Sequence, residues 1–293
     1  MKNSERHHYI PEFFIKGFIG DDGKLSVFDK TKGEISKLRK SPKQVFFDWN
    51  RNTFEVNGIE TDFVENLYQF GENMFAPTFK KLTEKFEPIL IEPYDLLHLF
   101  LFIATTHWRV PSQDNTKTDY SKFLGNENSF FSLKNKEKGK NVSKEIYERI
   151  LNEPAFKEST KIMRAVQNFI ESDTKKNVDN WKLYYTEKGM NQFNLLSDNP
   201  LILWNENCKN ILNSESIFPL SKGKIIYHTN GKKLLELQPT HRISVDILAF
   251  INADKMVCGS NKEYLLAISK LAQQYDTDRK IELLKYEVFK IFK

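Results

Sequence analysis

The period at which apolar residues recur changes three times along this chain, and that order limits the folds open to it. Early segments alternate polar with apolar. "KLSVFDK" from Lys24 follows the turn Asp21-Asp22-Gly23, and "EISKLR" from Glu34 follows a second turn at Lys30-Thr31-Lys32-Gly33. "RNTFEV" from Arg51 runs into Asn57-Gly58. A period of two bounded by such turns predicts β-hairpins. From Thr61 the spacing becomes three and four, so Phe63, Leu67, Phe70, Met74, Leu82 and Phe86 share one stripe of a helix. Thr61 reads as its N-cap with Asp62 in the first turn, and Pro77 is expected to kink or divide it. A second helix runs from after Pro93 to about Arg109, where Val110-Pro111 ends it. Helices follow at Ser143–Leu151 and Phe156–Ser172. Then come "NWKLYYTEK", "QFNLLSDNPLILW", "KGKIIYHTN" and "KKLLELQ", with Asn230-Gly231 joining the last two as a hairpin. Helical spacing returns at Ser244–Asn252, Asn261–Gln274 and Arg279–Phe292. Strands and helices are grouped rather than alternating. The expected class is therefore α+β: N-terminal β-hairpins, a central helical bundle, a second antiparallel β region and C-terminal helices.

The 293 residues suit one α+β domain over 1–293, or two sub-lobes (1–111 and 143–293) joined by a polar insertion at 112–142. The formal charge of +5 is compatible with a nucleic-acid partner, and many enzymes share it. Cys208 and Cys258 form neither a CxxC pair nor a disulfide framework, so the reducing cytoplasm is the expected location. The charged N-terminus lacks the apolar core of a secretory signal. "YDLLHLFLFIATTHW" from Tyr94 is too short and too polar for a bilayer, so a buried helix and no membrane partner are expected.

Four groups carry candidate chemistry. In "HHYIPEFF", Pro11 biases Ile10 toward an extended backbone, so His7 and His8 point to opposite faces. One of them faces any given pocket as base, acid or metal ligand; the other reading is a hydrogen-bonded structural pair. In "LLSDNPLIL", Asp198 between strand runs is placed to orient a histidine, bind a metal or take a proton. Ser197-Asp198-Asn199-Pro200 is equally good turn chemistry, with side chains bonding their own backbone. Arg109 is a guanidinium clamp for phosphate or a helix C-terminal cation, and His107 reads as a core histidine. Glu65, Gln69 and Glu72 share a helix stripe beside the Phe63/Phe70 face, as metal ligands, as acid and base, or as solvated groups. GxGxxG, GxxxxGK[ST], HExxH and GxSxG are absent from the sequence, which disfavours Rossmann, P-loop, zincin and nucleophile-elbow chemistry.

His7-His8-Tyr9-Ile10-Pro11 with Phe13-Phe14-Ile15-Lys16-Gly17-Phe18 resembles the opening signature of the domain of unknown function 4238 family. Ile15 stands where that pattern has Leu. The family's next hairpin is matched by Asp22-Gly23-Lys24-Leu25-Ser26-Val27-Phe28-Asp29, with Phe28 in place of Tyr. Ser41-Pro42-Lys43-Gln44-Val45, the helix with Glu65 and Glu72, Arg109 to Pro111, Ser197 to Pro200, "FPLS" from Phe218 and Ile251-Asn252 are similar too. The resemblance spans about residues 6–275 and leaves 112–142 unaligned. It implies no activity, but it suggests that the two hallmark segments form one ensemble.

The expectation drawn from this set is a hydrolase, foremost a nuclease acting on RNA or DNA, of a kind suited to bacterial antiviral defence or to a toxin. His7 or His8 would be base or metal ligand. Asp198 would orient it or share the metal, Arg109 would hold a phosphate, and Glu65 would be ligand or acid. Tyr9, Ser197, Asn199 and Lys222 would line the substrate. Mg²⁺ or Mn²⁺ is the cofactor such a site would take, with His8, Glu65 and Asp198 as candidate ligands, though the mixed set does not fix one. The alternatives are a non-catalytic module binding nucleic acid or protein around a structural histidine pair, and a small-molecule hydrolase or transferase.

Overall fold

The computed structural model describes residues 6–56, 59–84, 91–116, 153–172, 178–185 and 193–293, with Ser143, Glu145 and Arg149. The expectations for Asn57-Gly58, Phe86, the insertion over 117–142 and most of the Ser143–Leu151 helix fall outside the described residues. The described residues build an α+β fold with antiparallel sheets.

The N-terminal segments pair as short ribbons. β1 (Arg6–His8) pairs with β4 (Phe47–Trp49), placing His7 opposite Asp48, and β5 (Phe54–Val56) pairs with β6 (Ile59–Thr61). β2 (Ser26–Asp29) and β3 (Glu34–Ile35) form the expected hairpin, with Gly33 at φ 68° where a side chain would be strained. β12 (Met256–Gly259) occupies the other edge of β2 and then pairs with β8 (Leu196–Ser197). This brings the N-terminal hairpin and the Ser-Asp-Asn-Pro segment into one sheet.

A second sheet has the order β7 (Trp181–Tyr185), β11 (Lys224–His228), β10 (Ser216–Ser221), β9 (Ile202–Leu203). Phe218, Leu220 and Ile226 face one apolar core, while Ile217, Ile225 and Tyr227 face the other. Both faces of the sheet are therefore covered, which accounts for strands that read as continuous apolar runs. Both edges of β11 are taken, so the hairpin expected across Asn230-Gly231 does not form. The turn exists, at φ 50° and 83°, but it sends the chain to the C-terminal segment, where Leu235 N donates to Ile291 O at 2.9 Å.

The main helices among the described residues are α1 (Glu12–Ile15), α2 (Phe63–Glu84), α3 (Pro93–Arg109), α4 (Pro154–Glu171), α5 (Pro239–Asn252), α6 (Lys262–Ala272) and α7 (Asp278–Phe289). α3, α4 and α5 each start on a proline, whose missing N–H has no helical partner at that position. None of them is long and apolar enough to cross a membrane among the described residues. The N-terminal arm is pinned through aromatics. Phe14 stacks on Phe218 at 5.3 Å and meets Phe79 and Phe102 edge-on, and Lys222 N donates to Gly17 O at 2.9 Å. The arm thus meets the second β region at "FPLS".

α2 corrects the expected division at Pro77 and part of the expected buried stripe. It runs unbroken through Pro77, whose exposed ring costs one backbone bond, about 3 kcal/mol. Burial of Phe75, Phe79 and Leu82 on the same helix offsets that loss. Of the expected stripe, Leu82 is buried and Met74 packs on the core, while Phe63, Leu67 and Phe70 turn outward. Val64, Glu65, Tyr68, Phe75, Phe79 and Leu82 face the protein, while Phe63 is 56% exposed and Phe70 67%. The helix is rolled so that its first turns bury carboxylates and turn phenylalanines outward. The partner responsible lies on α3.

Candidate functional site

Arg109 is the last residue of α3 and is almost wholly buried. Its guanidinium turns back onto the first half of α2. Nη1 donates to Glu72 Oε1 at 2.5 Å, Nη2 lies 3.7 Å from Glu65 Oε2, and the group sits 4.1 Å from the Tyr68 ring centre. Residues 65, 68 and 72 follow the three-and-four spacing, so one stripe supplies two anions and a π-face to one cation. Glu65 Oε2 also accepts from Asn52 Nδ2 at 2.8 Å. The Asn52 backbone N–H donates to His7 Nδ1 at 2.7 Å. A continuous polar chain therefore joins β1 to α2 and α3: His7, Asn52, Glu65, Arg109, Glu72.

His7 is fully buried and His8 is nearly so, on opposite faces of β1 as extended backbone requires. His8 Nε2 lies 3.9 Å from Glu12 Oε1. Burial lowers the pKa of His8; Glu12 opposes the shift, Arg109 adds to it, and a backbone bond at Pro42 and Glu65 also oppose it. Burial thus favours the uncharged ring. His7 Nε2, His8 Nε2, Asn52 Oδ1 and Arg109 Nε and Nη2 are all buried without a hydrogen-bond partner among the described residues. Buried polar atoms are nearly always satisfied, so these five single the cluster out as a candidate site.

Asp198 lies elsewhere. Its Oδ1 accepts from Asp254 N at 2.8 Å, and its Oδ2 accepts from Lys255 N and Met256 N at 2.6 and 2.9 Å. It thus closes the loop between α5 and β12 onto β8, and neither histidine is bonded to it. Burial raises its pKa despite the three N–H bonds. Lys30 reinforces the same corner, donating to Phe250 O at 2.9 Å, Ile251 O at 3.0 Å and Ala253 O, the exposed carbonyls at the end of α5. Asp198→Ala leaves three N–H groups without an acceptor. It is expected to cost about 3 kcal/mol or more in urea unfolding, and Asp198→Asn, which keeps one oxygen, less; equal stability of Asp198→Ala and wild type would contradict this role.

The remaining candidates scatter. Ser197 is buried in β8, and Asn199 Nδ2 reaches Asn252 O at 3.5 Å. Tyr9 is buried between Phe46 and Arg51, and burial, with Asp198 adding, pushes its hydroxyl pKa far up. Lys222 Nζ lies 3.7 Å from Asp21 Oδ1 at the hairpin turn. The structure brings together Glu65, Arg109 and the histidine strand, and leaves Asp198, Ser197, Asn199 and Lys222 outside that cluster. The candidate metal ligands His8, Glu65 and Asp198 do not converge, and no other group of three could hold an ion among the described residues. Asn52 and Tyr68 escaped the sequence reading. Tyr68 shares the stripe of Glu65 and Glu72 and was legible in principle; Asn52 carries no local signal.

The family model described as "Protein of unknown function (DUF4238)" matches residues 6–262, and the chain belongs to that family. No curated protein and no solved structure matches it.

Proposed function

We propose that this protein is a hydrolase and that its reaction is phosphodiester cleavage in RNA or DNA, centred on His8 and the Arg109 cluster. One observation carries the reading: α2 is rolled so that Glu65 and Glu72 meet Arg109 while Phe63 and Phe70 face water. Stability alone favours the opposite roll. Exposing those rings forgoes a few kcal/mol of hydrophobic burial, and a buried ion cluster seldom returns what its desolvation costs. In the proposed step the uncharged His8 takes a proton at Nε2 from the attacking hydroxyl or water as the new P–O bond forms. It returns that proton to the leaving oxygen as the old bond breaks. Glu72 holds one end of the Arg109 guanidinium, and Nε and Nη2 remain as donors for the oxygens that gain charge.

The test is incubation with tRNA, total RNA and plasmid, with and without Mg²⁺ or Mn²⁺, using wild type, His8→Ala and Glu72→Gln. Cleavage by wild type that both variants lose supports the reading. Equal cleavage by all three assigns it to another site or to a contaminant. A second reading, a binding module without turnover, is favoured by Asp198 and His7 Nδ1 both being committed to backbone N–H groups. Binding of nucleic acid with no cleavage of any substrate would select it.

A further inference from the structure

Beside the buried cluster opens a cleft of about 310 Å³ between α3, α4 and the turn after α3. It shares a wall with the cluster: Tyr68 donates to Glu158 at 3.3 Å, and Arg51, whose Nη2 donates to Arg109 O at 3.3 Å, lines the opening. Four cationic side chains reach it against two acidic ones. Trp108 and Phe54 give it two aromatic surfaces, and Arg164 lies 4.6 Å over the Trp108 ring. Pro154, the first residue of α4, is also in the lining, so the positive end of that helix meets the same space.

Two of the cations meet on Asp114, and each also reaches a second carboxylate: Arg51 Nη1 donates to Asp48 Oδ2 at 3.1 Å, and Lys161 Nζ lies 2.6 Å from Glu158 Oε2. Arg51 grips Asp114 with both ends of its guanidinium, Nη1 to Oδ2 at 3.1 Å and Nη2 to Oδ1 at 2.5 Å, and Lys161 Nζ adds a third bond at 2.6 Å. A planar fork plus a lysine on two oxygens is the geometry by which proteins hold phosphate. Asp114 occupies that position from within the chain. Lys157 is exposed at the rim and makes no ion pair among the described residues.

We propose that this cleft binds single-stranded nucleic acid, with one phosphate on Arg51 and Lys161 in place of Asp114, the next on Lys157, and a base against Trp108. Cations that track a backbone beside an aromatic surface are how unpaired strands are held, because a duplex hides its base faces. A site of this volume, at the small end of ligand cavities, takes about one nucleotide. The inference names the substrate of the reaction proposed above and rests on that reading, but its test reads binding alone.

The experiment is fluorescence anisotropy in EDTA with a labelled 12-nucleotide U strand, the matching dT strand and a duplex of the same length, across a salt series. Wild type is expected to bind the single strands at least fivefold more tightly than the duplex. Lys157→Ala should weaken binding and lower the salt slope by about one. Trp108→Leu should weaken it by about fivefold or more with the slope unchanged. Asp114→Asn should tighten it. Unchanged affinity in Lys157→Ala and Trp108→Leu, equal affinity for duplex, or no binding of any strand overturns the assignment. Circular dichroism melts of each variant separate lost binding from lost folding. Binding without cleavage removes the hydrolase and leaves the cleft; cleavage indifferent to Lys157→Ala and Trp108→Leu removes the cleft and leaves the hydrolase.

Discussion

Arg109→Ala is expected to lower the free energy of unfolding by about 3–5 kcal/mol, because it leaves buried carboxylates with no counter-charge. The Glu65 side chain is only 9% exposed, so water cannot replace the guanidinium there without opening the seam between α2 and α3, while Glu72, at 24%, is half-buried. The cost comes from stranded charge more than from a lost bond. The triple variant Arg109→Met, Glu65→Gln, Glu72→Gln removes all three charges at nearly constant volume, and it should regain most of the stability. Urea denaturation measures both, with unchanged slopes marking a change in stability rather than in compactness. A single substitution costing under about 1 kcal/mol would mean that the seam is wet and the cluster is not the buried element described above.

Acid should unfold this protein early. His107, His228 and His241 are buried, and desolvation pulls each of their pKa values down to about 4. Their folded pKa values lie below the unfolded value near 6.5, so their contribution is present above that pH and is lost as pH falls toward 4. Asp246 works in the opposite sense. Buried beside Tyr264, whose hydroxyl donates to it at 2.6 Å, it has a pKa raised to about 7, so the stability it adds is lost as pH rises through 7. Near pH 5 the unfolded chain binds three more protons at the histidines and one fewer at the aspartate. The net of about two protons makes stability fall by roughly 2–3 kcal/mol per pH unit. Melting temperatures from pH 7.5 to 4.5 should drop steeply below pH 6.5. Asp246→Asn should steepen that decline by about one proton. A flat profile over that range would show that these rings are not buried uncharged.

Much of the fold follows from local signals. The β2–β3 hairpin, the limits of α3 between two prolines, and the α+β order of the elements all rest on turn residues and periodicity within one segment. What escaped depends on distant partners. The apolar stripe of Phe63, Leu67 and Phe70 is the best local choice for the buried face of α2, and it is overruled by Arg109 on another helix. Asn230-Gly231 makes its turn, but the hairpin fails because β7 and β10 already occupy β11. The candidate site divides in the same way. Glu65, Glu72 and Arg109 carried spacing or helix-end signals and come together, with the histidine strand joined through Asn52. Asp198 carried two readings, a site acid or a turn bonding its own backbone; its three N–H partners are backbone groups of the distant loop at Asp254–Met256, which no local signal announces. The cleft had no sequence signal, since Arg51, the Trp108–Asp114 stretch and Lys161 are gathered from three separate segments.

The proposed reaction stands most directly on His8. Single-turnover cleavage of a labelled U-rich single strand by wild type and His8→Ala, with matched melting curves, isolates its part as base. The account predicts a rate reduced by about 10²–10⁴ in the variant, with binding of the strand unchanged. Equal rates in the two proteins, or a strand that is bound and never cut by wild type, would contradict it.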